Sequence, residues 1–479
     1  MAQIISTVQV FISNLALHEK MSWLTQAGYL TVPNQKILPT LKMILPAFNG
    51  GLFFTLTVGV GISLVSLACA WTWKYPCRLN KGFLFVFLGL WAAFITALNR
   101  HGFLLMPTLY AILIPAVVVT LFLVLSPNDL ERRSRLTLLL HFLAIALLAF
   151  LWWSQMNAAL YINIRDNLLL LNAPGIHVND FYYRYTLYPA EVFRNLNQKL
   201  IKTYHLSETE DSRDHQRLKR KLAGYDYLLI SKKGKADVEI TVEKERIRLS
   251  GSRQAVIETD PENFFKNTRQ ILQDLSKSND AYIHFRKVTS ISLLLGFPLI
   301  LYWLFTGVLS LGFSLFLGRQ SSAIAGIAVC CLLGALLLLL MPQEDKRDLT
   351  IDSLSGMLAS DGWKDTVTAL KQINANKIDL HQFDLTQNLS QHPSIPVRYW
   401  LARSLGVGKH PDDEAHLITL MQDPHPNVVC QALYSIGKRK FRKATARLLT
   451  TIEISDHWYI QLYTYNALRK LGWKQSASN

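Results

Sequence analysis

Apolar positions follow two different rhythms along this chain. Long unbroken apolar runs fill much of residues 51–154 and 290–341, and short periodic patterns fill the rest. A helix of about 20 apolar residues crosses a bilayer core. Residues 51–73, GLFFTLTVGVGISLVSLACAWTW, reach that length without a charged side chain. Runs at 83–98, 103–125 and 136–154 follow, the last ending near Trp152 and Trp153, a pair suited to a membrane interface. Runs at 290–316 and 322–341 make a fifth and a sixth, joined through Gly318 and Arg319. The pattern predicts a polytopic α-helical membrane protein with about six transmembrane helices, four within 51–154 and two within 290–341. In the N-terminal region, 1–50, Ile4, Val8, Phe11, Ile12 and Leu15 recur at helical spacing. Residues 3–25 are read as an amphipathic helix, either lying in the membrane interface or packed on the protein itself.

The polar stretch 155–289 is too long for a loop and predicts a small soluble α+β domain. Pro189, Ala190 and Glu191 suit a helix entry, with Phe193, Leu196, Leu200 and Ile201 as the buried stripe of a helix over 190–204. The charged run 206–221 reads as a solvated helix or loop. YDYLLIS, ADVEITV and RIRLSGS then alternate at period two, which predicts three antiparallel strands covered by the first helix and a second over 261–278. Tyr182, Tyr183, Tyr185 and Tyr188 are expected at headgroup level or in a packed edge. Arg165 and Asp166 read as an ordinary neighbouring charge pair.

The tail, 346–479, repeats itself. HPSIPVRYWLARSLG, DPHPNVVCQALYSIG and WYIQLYTYNALRKLG align on Gly406, Gly437 and Gly472, spaced by 31 and 35 residues. Val397, Leu401 and Leu405 match Val428, Ala432 and Ile436, and then Tyr463, Ala467 and Leu471, each set on one helix face. Each glycine is expected to cap its helix. Intervening apolar positions, with Pro411 opening one helix and Ala444, Leu448 and Ile452 lining another, supply partner helices. A helical period of this length predicts an α-solenoid. Through Asp423-Pro424, Val397-Arg398 and the Ala/Leu–Gly endings, the tail resembles the HEAT-repeat family, specifically the short PBS-lyase-type HEAT-like repeats. Val429 and His392 depart from that pattern, and residues 353–378 are expected to form a degenerate capping repeat. The resemblance implies protein binding through a repeat surface; some relatives act in chromophore attachment, and the repeat alone carries no such active site.

Charge adds little and excludes some partners. Only 18% of residues are charged, and the net charge of +16 is spread so that no segment demands nucleic acid. Basic residues flanking apolar runs suit anionic lipid, so membrane lipid is an expected partner. The loops 73–82 and 126–135 share one side, and their Lys and Arg residues place it in the cytoplasm of a bacterial-type inner membrane. The domain 155–289 and the tail then share the extracytoplasmic side, against which Lys36, Lys42, Arg100, Arg286, Lys287, Lys346 and Arg347 argue. The five cysteines form no CxxC and no metal-ligand spacing, and no cofactor is expected. No Ser/His/Asp arrangement, HExxH or P-loop appears, so an enzyme is not indicated. Candidate interaction residues are Arg398, Lys438, Arg439, Lys440, Arg442, Lys443, Trp458 and Tyr459, with Arg447 extending the basic run. The sequence points to a membrane-anchored interaction or scaffold protein that docks a protein partner through its tail. The alternative is a transporter or membrane enzyme-complex subunit regulated by the tail, which would require a polar cavity around His141, Thr96 and Asn99.

Overall fold

A computed structural model describes residues 1–126, 132–157, 159–207, 213–231, 234–243, 246–251, 255–339, 350–383 and 389–475. Among them, six helices are long and apolar enough to cross a membrane: α2 (Ile44–Lys74), α3 (Lys81–Leu98), α4 (Leu105–Leu125), α5 (ending Arg135–Ser154), α11 (Ile283–Phe313) and α12 (Arg319–Leu339). Two are longer than a bilayer core needs. α2 and α11 each run 31 residues, starting ahead of the expected 51 and 290. Each is interrupted by a π-helical turn, Thr55–Gly59 in α2 and Ser292–Gly296 in α11. The two turns lie close together because the backbones approach at glycines: a Cβ on Gly61 would fall 2.0 Å from the Ser292 hydroxyl oxygen. The extra turns of α2 and α11 carry Phe54 and Phe285, which meet Phe193 edge-on and link the apolar helices to the polar body.

Helix α1 (Ala2–Gln26) lies against the first turns of α2. The segment 155–289 divides in two. Its first part is helical: α6 (Leu160–Ile164), a π-helical turn (Arg165–Leu169), α7 (Ala173–Tyr185) and α8 (Leu187–Phe193). Its second part holds a five-stranded mixed sheet, where three antiparallel strands were expected. The order is β2-β1-β3-β4-β5, with β1 (Lys202–Ser207) parallel to both β2 (Tyr227–Leu229) and β3 (Val238–Glu243). β4 (Arg246–Gly251) and β5 (Val256–Thr259) complete it as an antiparallel meander.

Strand β1 takes residues assigned by pattern to a helix over 190–204. The helix stops at Phe193 because Asn195 and Gln198 bond each other's backbone N–H groups at 3.1 Å and close a turn. Thr203, Tyr204 and His205 beyond it are natural strand formers. α9 (Arg213–Ala223), which begins within the run read as a solvated helix or loop and ends two residues past it, buries Leu218 and Leu222 against the sheet. Residues 208–212 of that run lie outside the described residues. α10 (Pro261–Ser278) is the second covering helix, and the Asp260 carboxylate caps it by accepting from Asn263 N at 2.7 Å.

The tail is a stack of helices: α13 (Ile351–Leu358), α14 (Trp363–Asn376), α15 (Ile395–Leu405), α16 (Asp413–Leu420), α17 (Pro426–Arg439), α18 (Thr445–Ile454) and α19 (Trp458–Lys470). α14, α15, α17 and α19 pack side by side as one layer. Gly406 ends α15 as expected, and Gly472 follows the end of α19, but Gly437 does a different job. Gly437 lies inside α17, which ends at Arg439 with left-handed Lys440 beyond it. A Cβ on Gly437 would sit 2.9 Å from Ala467 Cα, and one on Gly406 would sit 2.4 Å from the Ser435 hydroxyl oxygen. Gly406 and Gly437 let neighbouring helices touch. Gly472, at φ +91°, is the one of the three in a left-handed position.

Candidate functional site

The inner layer of the tail is already occupied by this chain. α6, the turn after it and α7 run across α14, α15, α17 and α19 in order, each meeting a polar contact. Lys371 on α14 donates to the Asn163 side-chain oxygen at 3.3 Å. Asp166 is buried, and its two oxygens are shared between chain neighbours and the tail: Oδ1 accepts from Arg165 Nε at 2.8 Å, and Oδ2 from Trp400 Nε1 on α15 at 2.9 Å. The Arg165 guanidinium also lies 3.7 Å from the centre of the Tyr399 ring. Asn179 on α7 and Asn427 on α17 bond side chain to side chain at 2.9 Å, out of contact with water. Tyr459 on α19 bonds Thr186 at 2.9 Å and packs on Tyr183 at 4.9 Å between centroids, while Trp458 meets Tyr188 edge-on. The four clustered tyrosines therefore include a packed edge against the tail. Burial raises the Tyr183 and Tyr459 hydroxyls above their ordinary range, so both stay protonated.

Two further straps hold the last repeats. The Asn34 amide donates to the carbonyl oxygens of Ile452, Glu453 and Ser455 at 2.7–3.1 Å, and Gln461 accepts from Asn34 N. Gln475 pairs with both backbone groups of Leu30. On the sheet side, Tyr465 donates to Asp226 at 2.5 Å, and Arg469 donates to Gly224 O at 2.6 Å while its Nε lies 3.1 Å from Asp226. The sheet is held to α1 by Asp237, whose Oδ1 lies 2.6 Å from Lys20 and 2.7 Å from Lys199. Against the burial penalty, the two ammonium groups hold the Asp237 carboxyl well below the usual carboxylate range.

The C-terminal architecture has a family. Residues 384–469 match the HEAT repeats family. This part of the chain is a HEAT-repeat array. No curated protein and no solved structure matches the chain.

The HEAT array separates the candidate interaction residues into two groups. Arg398, half-buried, makes a forked pair with Asp423, Nε to Oδ2 at 2.6 Å and an NH2 group to Oδ1 at 3.1 Å, and it also donates to His392 O. Arg439 is tied to Asp413 at 2.5 Å and to the carbonyls of Leu405 and His410. Trp458 is buried and Tyr459 half-buried under α7 and α8. These four join repeats to each other or to the chain's own helices and are not on a free surface. Lys438, Lys440, Arg442 and Lys443 are exposed, as is Arg447. Among the described residues, no acid lies within ion-pair distance of these five. They form a rim at the end of α17 opposite Asn427 and α7, about 20 Å away by helix rise.

His141, Thr96 and Asn99 do not share a cavity. His141 bonds Tyr302 at 2.8 Å within a group formed by α5, α11 and α12. Asn99 closes the α3–α4 turn by accepting from Leu104 N and pairing with Thr108, and Thr96 bonds back to Ala92 O. Sequence pattern missed Asn34, Asn179, Asn427, Asp237 and the inward role of Asp166. Each is a polar residue whose partner lies 34 or more positions away, so no local spacing announces it.

Proposed function

We propose that the protein is a membrane-anchored scaffold in a bacterial-type inner membrane, with six membrane-crossing helices and its polar parts together on one face. Its HEAT tail serves two sides at once. The inner side is fastened to the chain's own helices, and the basic rim of Lys438, Lys440, Arg442, Lys443 and Arg447 receives an acidic segment of a protein partner. The observation that carries this reading is the rim itself: five exposed cations without an acidic neighbour among the described residues, beside two half-buried arginines of the same array that each have one. Nothing in its position favours lipid, since the helices that lead to the membrane spans meet the opposite end of α17.

The test uses the full chain in nanodiscs and a fluorescent poly-glutamate peptide. Binding is expected to weaken with salt, as exposed charge contacts are screened over about 8–10 Å. Replacing Lys438, Lys440, Arg442 and Lys443 together by Glu is expected to lower affinity at least tenfold. Equal binding by the two proteins would refute the assignment. In cells, a photocrosslinker at Lys440 is expected to capture an acidic protein that the charge-reversed variant loses.

A further inference from the structure

Helix α1 is built inside out. Its buried face carries Ser6, Gln9 and Asn14 beside Ile5 and Val10, whereas Ile4, Val8, Ile12 and Leu15 point outward at 66%, 42%, 55% and 39% exposure. At about 100° per residue, those four fall within an arc of about 80°. A helix in water does the reverse. Of the inward polar residues Ser6 is bonded, to Tyr110 of α4 at 2.6 Å and to Thr55 of α2 at 3.1 Å, and Gln3 beside it donates to Phe48 O at 2.8 Å, whereas the buried Gln9 and Asn14 side chains have no hydrogen-bond partner among the described residues.

The level of α1 can be measured along the helices it touches. Ala2 Cβ lies 3.0 Å from where a Cβ on Gly59 would sit. Gly59 is about 22 Å by helix rise from Lys74 at the far end of α2, and Tyr110 is about as far from Leu125 at the far end of α4. A hydrocarbon core is about 30 Å thick. The first two turns of α1 therefore stand at a depth that acyl chains occupy when these helices cross, and Leu15 stands near the headgroups. Charge agrees with that boundary. No titratable side chain precedes His18, and Lys42 faces His18 from the neighbouring strand of chain. The exposed Ile44 and Leu45 of α2 continue the apolar band beside it.

We propose that the outward stripe of α1 is a lipid-facing surface, graded in depth from Ile4 among the acyl chains to Leu15 at the headgroup boundary. This inference rests on the membrane part of the proposed function and is independent of the basic rim. Ser6 turns inward to hydroxyl partners that lipid does not offer. Beyond the stripe, Lys20 joins the buried Asp237 and Asn34 enters the last repeat, so the segment that contacts lipid is continuous with the one that holds the tail.

The test reconstitutes the full chain in phosphatidylcholine/phosphatidylglycerol vesicles. Nitroxides are placed at Ile4→Cys, Val8→Cys, Ile12→Cys and Leu15→Cys in a background without the native cysteines. Collision with oxygen is expected to exceed collision with a water-soluble nickel chelate, most at Ile4 and least at Leu15. In the unmodified chain, a diazirine-acyl phosphatidylcholine is expected to label the peptide that contains residues 4–15. Nickel accessibility equal to that of a label at the exposed Lys440, with no lipid adduct, would overturn the proposal. So would low access to both reagents with dipolar broadening, which would mean that a second copy covers the stripe. Charge reversal at the rim is expected to leave every one of these readings unchanged.

Discussion

His425 and His457 sit at the N-terminal ends of α17 and α19, where the tail meets α7, and burial lowers the basicity of both. Asp180, Asp423 and the Asn427 side chain favour the charged form of His425, and Arg398 opposes it; Asp180 and Asp456 favour that of His457, and Arg184 opposes it. The net shift is downward for each. An undocked tail would take up protons near the ordinary histidine value of about 6.5, and the docked tail only at lower pH. Docking is therefore fully supported above that pH and weakens as pH falls below it. Amide exchange across 173–185 and 426–430 is expected to be faster at pH 5.5 than at 7.5. The variant with His425→Gln and His457→Gln is expected to lose most of that difference. Exchange that is the same at both pH values in the wild-type chain would count against the two histidines. Their role was not legible in the sequence, because a histidine ahead of a proline or a tryptophan looks like any other polar loop residue. The same holds for Arg398 and Arg439. Arg398 read as part of the repeat signature and Arg439 as part of a basic run, both on a candidate surface, and the acids that pair with them lie 25 and 26 residues away.

At the scale of elements, pattern reading recovered what depends on a helix's or strand's own residues. The six apolar helices, the covering helix after Asp260 and the repeat helices of the tail all follow from periodicity. It failed where another element set the outcome. β1 needed β2 and β3 on either side, and the role of Gly437 needed a neighbouring helix. The second case is testable. Gly437→Ala adds a Cβ 2.9 Å from the Ala467 backbone, which side-chain movement does not relieve. Overpacking of this kind costs about 1–3 kcal/mol, against a gain in helix propensity of about 1 kcal/mol. Gly356 in α13 has nothing within 4 Å, so Gly356→Ala keeps only the gain. Thermal unfolding of the full chain is expected to show the first variant less stable than wild type and the second slightly more stable. Equal effects would mean that the glycines serve propensity and not contact.

For the whole molecule, the consequence of this packing is a definite sidedness. α1, the 99–104 turn, the sheet and the HEAT array lie at one end of the apolar helices, since His101 stacks on His284, Lys20 pairs with Asp237, and Asn34 enters the tail. The turn at 75–80 lies at the other end, near Ser126, whose carbonyl accepts from Lys74 at 2.8 Å. That far end carries Lys74, Arg78, Lys81 and Arg319, and the chain adds Arg132, Arg133 and Arg135 in the same loop set. Short loops rich in Lys and Arg stay in the cytoplasm. The tail and its rim are thus expected outside. In intact cells, an impermeant thiol reagent should modify Lys440→Cys and Arg100→Cys but reach Arg78→Cys and Arg319→Cys only after lysis. The reverse pattern would put the HEAT array in the cytoplasm and make its acidic partner a cytosolic one. A split between Lys440→Cys and Arg100→Cys would break the six-span arrangement itself, because two positions held in one packed body cannot lie on opposite faces of a bilayer.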